Sequence, residues 1–326
     1  MRLLVVGCGD IAESAHLPAI ARSGDVELVG LVDPASSNRS RLAAQLDVPD
    51  ASDLDGGASW GADAVIVATP PEATPSITID AVRRGLHVLC EKPMAVDLAE
   101  AALVHDAAAD TDRIVQVGFV NRFSPVTARV RQWIREGRLG HPLLFTLSTY
   151  DERYDPANDV HTKRILHFLE HGPAFLHEAA HQTDYVAYLG GGTPVDVVAR
   201  GLVSDSVFPS ENYTCALVRY DNRNVARLEV TWMFPVLPRG DFQIFGPKGS
   251  VRVNRAEGWA TLQSPAAEDE RIELDRPWVE QAFDAQLAAF AEAVRSGQPR
   301  GPTTADGLAS LSLCHQVVAA MKGAGR

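Results

Sequence analysis

The residues best equipped for chemistry fall in three stretches of this 326-residue chain. The first is Glu91-Lys92-Pro93, directly after the apolar run His87–Cys90. A lysine at the carboxyl end of a sheet strand, with its ammonium partly desolvated, can hydrogen-bond a substrate hydroxyl and help move its proton. A surface lysine in a loop is the plain alternative. The second is a histidine cluster: His161, His167, His171, His177 and His181 span 21 residues, with Lys163 and Arg164 among them. These suit either a solvated helix face or a pocket wall rich in donors for a polyhydroxylated or anionic substrate. Within it, His177-Glu178-Ala179-Ala180-His181 spells the His-Glu-x-x-His of zinc-peptidase helices. The extended form of that motif asks for glycine at position 184 and histidine at 187, where Asp184 and Ala187 stand. The helix also runs out at Gly190-Gly191-Gly192, so no metal is expected.

The third stretch is the N-terminus. A short apolar run leads into Gly7-Cys8-Gly9-Asp10-Ile11-Ala12, a Gly-x-Gly-x-x-Ala turn with a helical pattern behind it. Such a turn presents backbone N–H groups at a helix N-terminus, where a pyrophosphate can bind. Gly7 allows the tight turn, Gly9 the close approach of phosphate, and Ala12 close packing of helix on strand. A second apolar run, Val26–Val32, ends in Asp33. An acid about 20 residues past the glycines is placed to hold the ribose 2′-hydroxyl of NAD.

The elements that must position these groups follow in order. Helical spacing marks Ile11–Arg22, Asn38–Leu46 and Pro75–Arg84, the last ending at Gly85. Asp47–Gly61 is poorly patterned, with room for one weak strand. Asp63–Thr69 is a near-continuous apolar strand stopped by Pro70-Pro71, as in parallel sheets covered on both faces. Asp97 and Glu100 resemble a capping box for Leu98–Ala109. Strand Ile114–Val120 leads into Asn121-Arg122-Phe123, and Ser124-Pro125 opens a helix ending near Gly137. Alternating strands and helices over about 120 residues mean a doubly wound fold.

Past Gly140 the pattern changes. A helix is expected around Ala174–Leu189. Strands are expected at Val195–Val203, Asn212–Tyr220, Val225–Phe234, Phe242–Phe245 and Val251–Asn254. Their Asp-Asn, Pro-Arg-Gly and Pro-Lys-Gly turns favour an open, largely antiparallel sheet. Helices Val279–Arg295 and Ala305–Met321 close the chain, the latter expected to return to the first domain. The expected class is α/β, with a doubly wound parallel domain over 1–122 and an α+β domain over 123–326.

Composition narrows the partners. A net charge of −12 argues against nucleic acid or an anionic membrane surface. No apolar run approaches the roughly 18 residues of a membrane span. Cys8, Cys90, Cys215 and Cys314 are scattered without a Cys-x-x-Cys pair, which suits a reducing cytoplasm better than a disulfide framework. A sheet without helices for both faces leaves apolar surface to bury, so a homo-oligomer, dimer or tetramer, is expected.

The ordered set Gly7-Cys-Gly9-Asp-Ile-Ala-Glu-Ser-Ala-His16-Leu-Pro18, Ala68-Thr-Pro-Pro71, Glu91-Lys-Pro93, His181-x-x-Asp184 and Phe242-Gln-Ile-Phe-Gly246-Pro-Lys-Gly249 resembles the Gfo/Idh/MocA oxidoreductases. The resemblance spans essentially the whole chain. It implies an NAD(P)-dependent dehydrogenase or ketoreductase of sugars, sugar derivatives or cyclitols such as inositol, with a Rossmann first domain. NAD is favoured over NADP because of Asp33, although Arg39 lies close by in sequence. Carried over, Lys92 and His181 form the catalytic centre. Gly7, Gly9, Asp10, Ile11, Ala12, Asp33, Thr69, Pro70, Glu91, Lys92 and Asn121 hold the cofactor. Lys92, Arg122, His161, Lys163, His177 and Asp184 contact the substrate.

The chain departs from the family where an aspartate usually stands four residues before the histidine, since His177 is there. Glu178, three before His181, could supply the orienting carboxylate instead, leaving His177 to substrate or proton path. His171-Gly172-Pro173 replaces a glycine triplet, and Glu72 replaces a histidine after the proline pair. Two other classes stay open: a non-catalytic dinucleotide and ligand sensor, and a glycosidase that keeps its NAD.

Overall fold

The computed structural model describes residues 1–150, 157–232 and 241–323. Short apolar runs account for the first sheet: β1 (Arg2–Val6), β2 (Glu27–Val32), β3 (Asp50–Ala51), β4 (Ala64–Val67), β5 (His87–Cys90) and β6 (Val115–Val117). All pair in parallel, in the order β3-β2-β1-β4-β5-β6. Every residue of β4 is fully buried, as a strand covered by helices on both sheet faces must be. That burial is why these strands read as continuous apolar runs. The direction of strand progression reverses between β1 and β4, and such a switch point opens a crevice at the carboxyl ends. Gly7, Asp33, Ala68-Thr69, Glu91-Lys92 and Asn121 all follow those ends.

The chain divides into two compact units. The first joins Met1–Phe123 to Val279–Leu308. Its late segment is tied in by polar contacts. Arg22 donates to Asp284 at 2.7 Å, Arg122 to Asp306 at 2.8 Å, and the Val117 N–H to the Pro302 carbonyl at 3.0 Å. The last helix departs from expectation. Thr304–Gly323 belongs to the first unit only as far as Leu308, and the helix Trp278–Ser296 belongs to it from Val279 onward.

The second unit holds β7 (Leu144–Thr149), β8 (Pro194–Leu202), β9 (Tyr213–Tyr220), β10 (Val225–Thr231), β11 (Asp241–Gly246), β12 (Gly249–Asn254), β13 (Trp259–Ser264) and β14 (Ala267–Glu273). Their order is β14-β13-β12-β11-β7-β10-β9-β8, antiparallel except for the parallel pair β7–β10. The strand expected at Val225–Phe234 ends at Thr231, and Phe234 lies outside the described residues. Strands β7, β13 and β14 add to those read from sequence.

One face of this sheet buries Phe145, Ala216, Val218, Leu228, Phe242 and Ile244. The other carries Leu144, Val198, Leu202, Leu217 and Phe245, each 40% exposed or more. Register places these five on one side: Val198 faces Leu217, and Phe245 faces Leu144.

The helix expected across Ala174–Leu189 is two helices, Ala174–Glu178 and Ala180–Leu189, broken at Ala179. Ala179 keeps right-handed dihedrals, and both its N–H and its carbonyl stay in helical hydrogen bonds, to the Phe175 carbonyl and from the Thr183 N–H. The helical path thus carries on from Glu178 across Ala179, and His181 lies in the first turn of the second helix. No described helix is long and apolar enough to cross a membrane.

Candidate active site

In the first unit the glycine turn is built by exclusion. Gly7 has φ +96°, and a methyl there would come within 2.3 Å of the Ala68 carbonyl oxygen. Only glycine accepts both that dihedral and that neighbour. A methyl at Gly9 would meet nothing within 4 Å, which leaves the turn open to a phosphate. Ala12 is fully buried and starts a π-helical turn, Ala12–His16, that continues as the α-helix Leu17–Arg22. Asp10 and Ile11 are exposed at the mouth of the turn, Ile11 as an apolar side chain.

Asp33 anchors this edge. Its carboxylate accepts the Cys8 N–H at 2.8 Å through Oδ2 and the Ala35 N–H at 2.7 Å through Oδ1. Asn38 adds a bond from Nδ2 to the Cys8 carbonyl at 3.0 Å. Arg39 is engaged by an ion pair with Asp50 and by the Asp33 carbonyl. The Cys8 thiol is pushed up to about 11 by burial and by the Asp33 charge, so it stays protonated at neutral pH. At the end of β4, Thr69 shares a hydroxyl contact with Thr74 at 2.9 Å, while Pro70 is exposed.

Beyond β5, the buried Glu91 carboxylate accepts the Lys92 N–H through Oε2 at 3.0 Å and meets His16 Nε2 through Oε1 at 2.8 Å. Lys92 is half-buried. Asn121 is buried, and its Nδ2 donor has no hydrogen-bond partner among the described residues. A buried amide without a partner is costly, so this donor fits a ligand acceptor. Together the turn, Asp33 and Asn121 fit a dinucleotide. Arg122 pairs with Asp306, and burial opposes that ionisation. The Thr303 N–H and the guanidinium outweigh burial and hold the Asp306 carboxyl below the usual range.

The second unit sorts the histidines. His167 and His171 are exposed and meet edge to face at 4.7 Å. His161 is half-buried on the helix Asp159–Glu170, with Arg164 Nη2 at 3.3 Å from its Nδ1, and Lys163 is exposed beside it. His177 is buried, stacked on Trp232 at 5.8 Å and tilted against Phe168 at 5.5 Å. The five thus differ in burial. His181 is half-buried, whereas Gln182, Thr183 and Asp184 after it are buried. Gln182 Nε2 donates to Thr149 Oγ1 at 2.7 Å and to the Glu229 carbonyl at 2.8 Å, fixing the helix on β7 and β10. Thr183 meets the Ser310 hydroxyl at 2.7 Å. Glu178 is buried. Among the described residues, no three His, Cys, Asp or Glu side chains gather as a metal-ligand set.

Sequence reasoning passed over His16, Phe168, Trp232 and Asp306. His16 stood inside a recognised motif without a role. The two aromatics are distant in sequence, and only the fold stacks them with His177.

Residues 1–119 match the profile of an oxidoreductase family with an NAD-binding Rossmann fold, and residues 127–252 match the GFO/IDH/MocA C-terminal domain. The rhizopine catabolism protein MocA of Rhizobium meliloti is 28% identical, covering 96% of this chain and 92% of that protein. Inositol 2-dehydrogenase 4 of Saccharopolyspora erythraea is 28% identical over 100% and 95%. The WlbA dehydrogenase of Bordetella pertussis, solved with NADH and UDP-GlcNAcA, shares the fold with a TM-score of 0.82. It is 24% identical, with 99% of this chain and 95% of that one covered.

The Gly7 geometry is directly testable. Gly7→Ala should destabilise the protein by roughly 1–3 kcal/mol through backbone strain alone, with more from the clash at Ala68. Calorimetric melting would register it as a lowered midpoint, and titration as weaker dinucleotide binding. An unchanged melt would contradict the close approach.

Proposed function

This chain belongs to the Gfo/Idh/MocA oxidoreductase family, and from that premise we propose that it passes hydride between NAD and a secondary hydroxyl or keto carbon of a sugar, sugar derivative or inositol-like cyclitol. One observation carries the proposal. Gly7, Asp33, Glu91-Lys92 and Asn121 each follow the carboxyl end of a strand in one parallel sheet, where such folds bind dinucleotides. The names of the relatives support a polyhydroxylated ring as substrate: an inositol dehydrogenase, and a dehydrogenase solved with a sugar nucleotide.

Gly7, Gly9, Asp10, Ile11 and Ala12 would seat the pyrophosphate, Asp33 the ribose, and Thr69, Pro70, Glu91, Lys92 and Asn121 the nicotinamide half. Bound there, the dinucleotide supplies the hydride acceptor. In the oxidative direction His181 takes the hydroxyl proton, Lys92 polarises the same oxygen and Glu178 orients the imidazole. His177, Arg122, His161, Lys163 and Asp184 are assigned to the substrate. The four free cysteines suit a cytoplasmic enzyme.

We assign the open face of the second sheet to another copy of this chain. Its apolar side chains alternate with Arg219, Arg227, Asp196 and Glu229, so the face carries both signs and can complement itself about a two-fold axis. Light scattering should give a dimer or tetramer, and Leu217→Arg should lower the mass. A monomeric wild type would refute the assignment.

Cofactor choice follows from the charges. Asp33 accepts from a ribose diol and repels a 2′-phosphate, and Arg39 is held by Asp50 rather than offered to one. Calorimetry should give NAD at least about tenfold tighter binding than NADP, near 1.4 kcal/mol. Equal affinities would contradict this.

The acid–base roles are tested by turnover on sugars and cyclitols, read as reduced nicotinamide. Lys92→Ala should fold normally and lose about 10²-fold or more in kcat. Glu178→Gln should lower kcat and shift the pH–rate profile, while His177→Ala should mainly raise KM. Equal losses from His177→Ala and His181→Ala would put His177 in the proton path. A sensor would oxidise nothing, and a glycosidase would release a leaving group without net reduction of NAD.

A further inference from the structure

We propose that His16 is a positioning residue that sets Lys92 through Glu91, an inference that rests on Lys92 acting at the substrate oxygen. His16 and Glu91 are 75 residues apart, yet they form a buried pair, 3% and 8% exposed, at 2.8 Å. Both Glu91 oxygens are committed. Oε1 meets the imidazole, and Oε2 accepts the backbone N–H of Lys92 at 3.0 Å. The carboxylate thus fixes the backbone from which the lysine side chain departs.

Its slot is tight. The Glu91 N–H is bonded to the Val67 carbonyl at 2.9 Å, and a methyl on Gly118 would come within 2.9 Å of the carboxylate. The imidazole also meets the Phe283 ring edge to face at 5.0 Å. With these contacts around it, the pair has little room for a second arrangement.

The π-helical turn explains how His16 arrives there. The Leu17 N–H reaches back to the Ala12 carbonyl, closing a turn one residue longer than an α-turn. In a regular α-helix each residue rotates the bearing by about 100°, so without the extra residue position 16 would point elsewhere. Such turns recur at functional sites. This one begins where the glycine turn ends, so the phosphate seat and the Lys92 backbone share one short rigid connection. His16 moves no proton of the substrate; it holds the group that does.

Two substitutions separate positioning from bulk. His16→Leu removes the bond to Glu91, while His16→Gln keeps a donor. His16→Leu should lower kcat by about 10–100-fold, as losses of supporting residues typically do. NAD affinity and substrate KM should stay within about threefold, a shift under 1 kcal/mol. His16→Gln should recover most of the loss. In a Lys92→Ala background His16→Leu should cost nothing further, because both act on one step. Equal damage from both substitutions, or the same fold loss without Lys92, would overturn the inference.

A second arm needs no substrate. The chain has only Lys92, Lys163, Lys248 and Lys322, so 13C-dimethylation gives few resonances, with Lys92 assigned through Lys92→Arg. His16→Leu should move the Lys92 signal alone, and His16→Gln should leave it near its original place. An unmoved Lys92 signal would overturn the inference whatever the substrate. A moved signal in a protein that turns over no sugar or cyclitol would uphold the positioning of Lys92 and refute its assignment as an acid–base group. If His16→Leu does not fold, Glu91→Gln weakens the same link and should move the same signal.

Discussion

The contact on which the first unit depends is between two backbones: the Cα of Gly7 against the Ala68 carbonyl, with room for hydrogen and nothing larger. That proximity lets the turn after β1 and the end of β4 share one edge. The Ala68 N–H bonds the Val6 carbonyl at 2.7 Å, and the Gly7 N–H bonds the Val32 carbonyl at 2.8 Å. The three strand ends are thereby locked together before any side chain contributes. Asp33 adds the side-chain layer, since its carboxylate holds the Cys8 N–H, and Asn38 holds the Cys8 carbonyl from the other side.

How far the sequence foretold this depends on what each strand faces. β1 from Leu3 onward and the whole of β4 are covered on both sides, so those positions had to be apolar and the runs announced themselves. The glycine turn and Asp33 were legible because their spacing follows from the same geometry. In the second unit the signal weakens. β14, Ala-Glu-Asp-Glu-Arg-Ile-Glu, is a sheet edge that stays largely exposed. Charges there discourage pairing with other chains, and they hide the strand from a search for apolar alternation. β7 is central, and its parallel partner β10 lies far along the chain.

The same limit governs the candidate site. Lys92 and His181 could be named from motifs, but their supports could not. The break at Ala179 has no proline or glycine to announce it. What holds the His181 helix is Gln182 reaching two strands and Thr183 meeting Ser310. Both side chains are polar yet buried, and each has a hydrogen-bond partner. The stack of His177, Trp232 and Phe168 likewise joins residues that only tertiary structure brings together.

The first unit borrows Val279–Leu308 from the far end of the chain, and this has a consequence for biosynthesis. Domains generally fold in order as they leave the ribosome. Here Met1–Phe123 emerges first, and its contacts with Val279–Leu308 form only after the intervening unit has been made. Until then Arg22 lacks Asp284, Arg122 lacks Asp306 and the His16 ring lacks Phe283. Ribosome-bound chains ending before this segment would carry an incomplete nucleotide fold, a natural client for chaperones, while the intervening unit is free to fold around its own sheet.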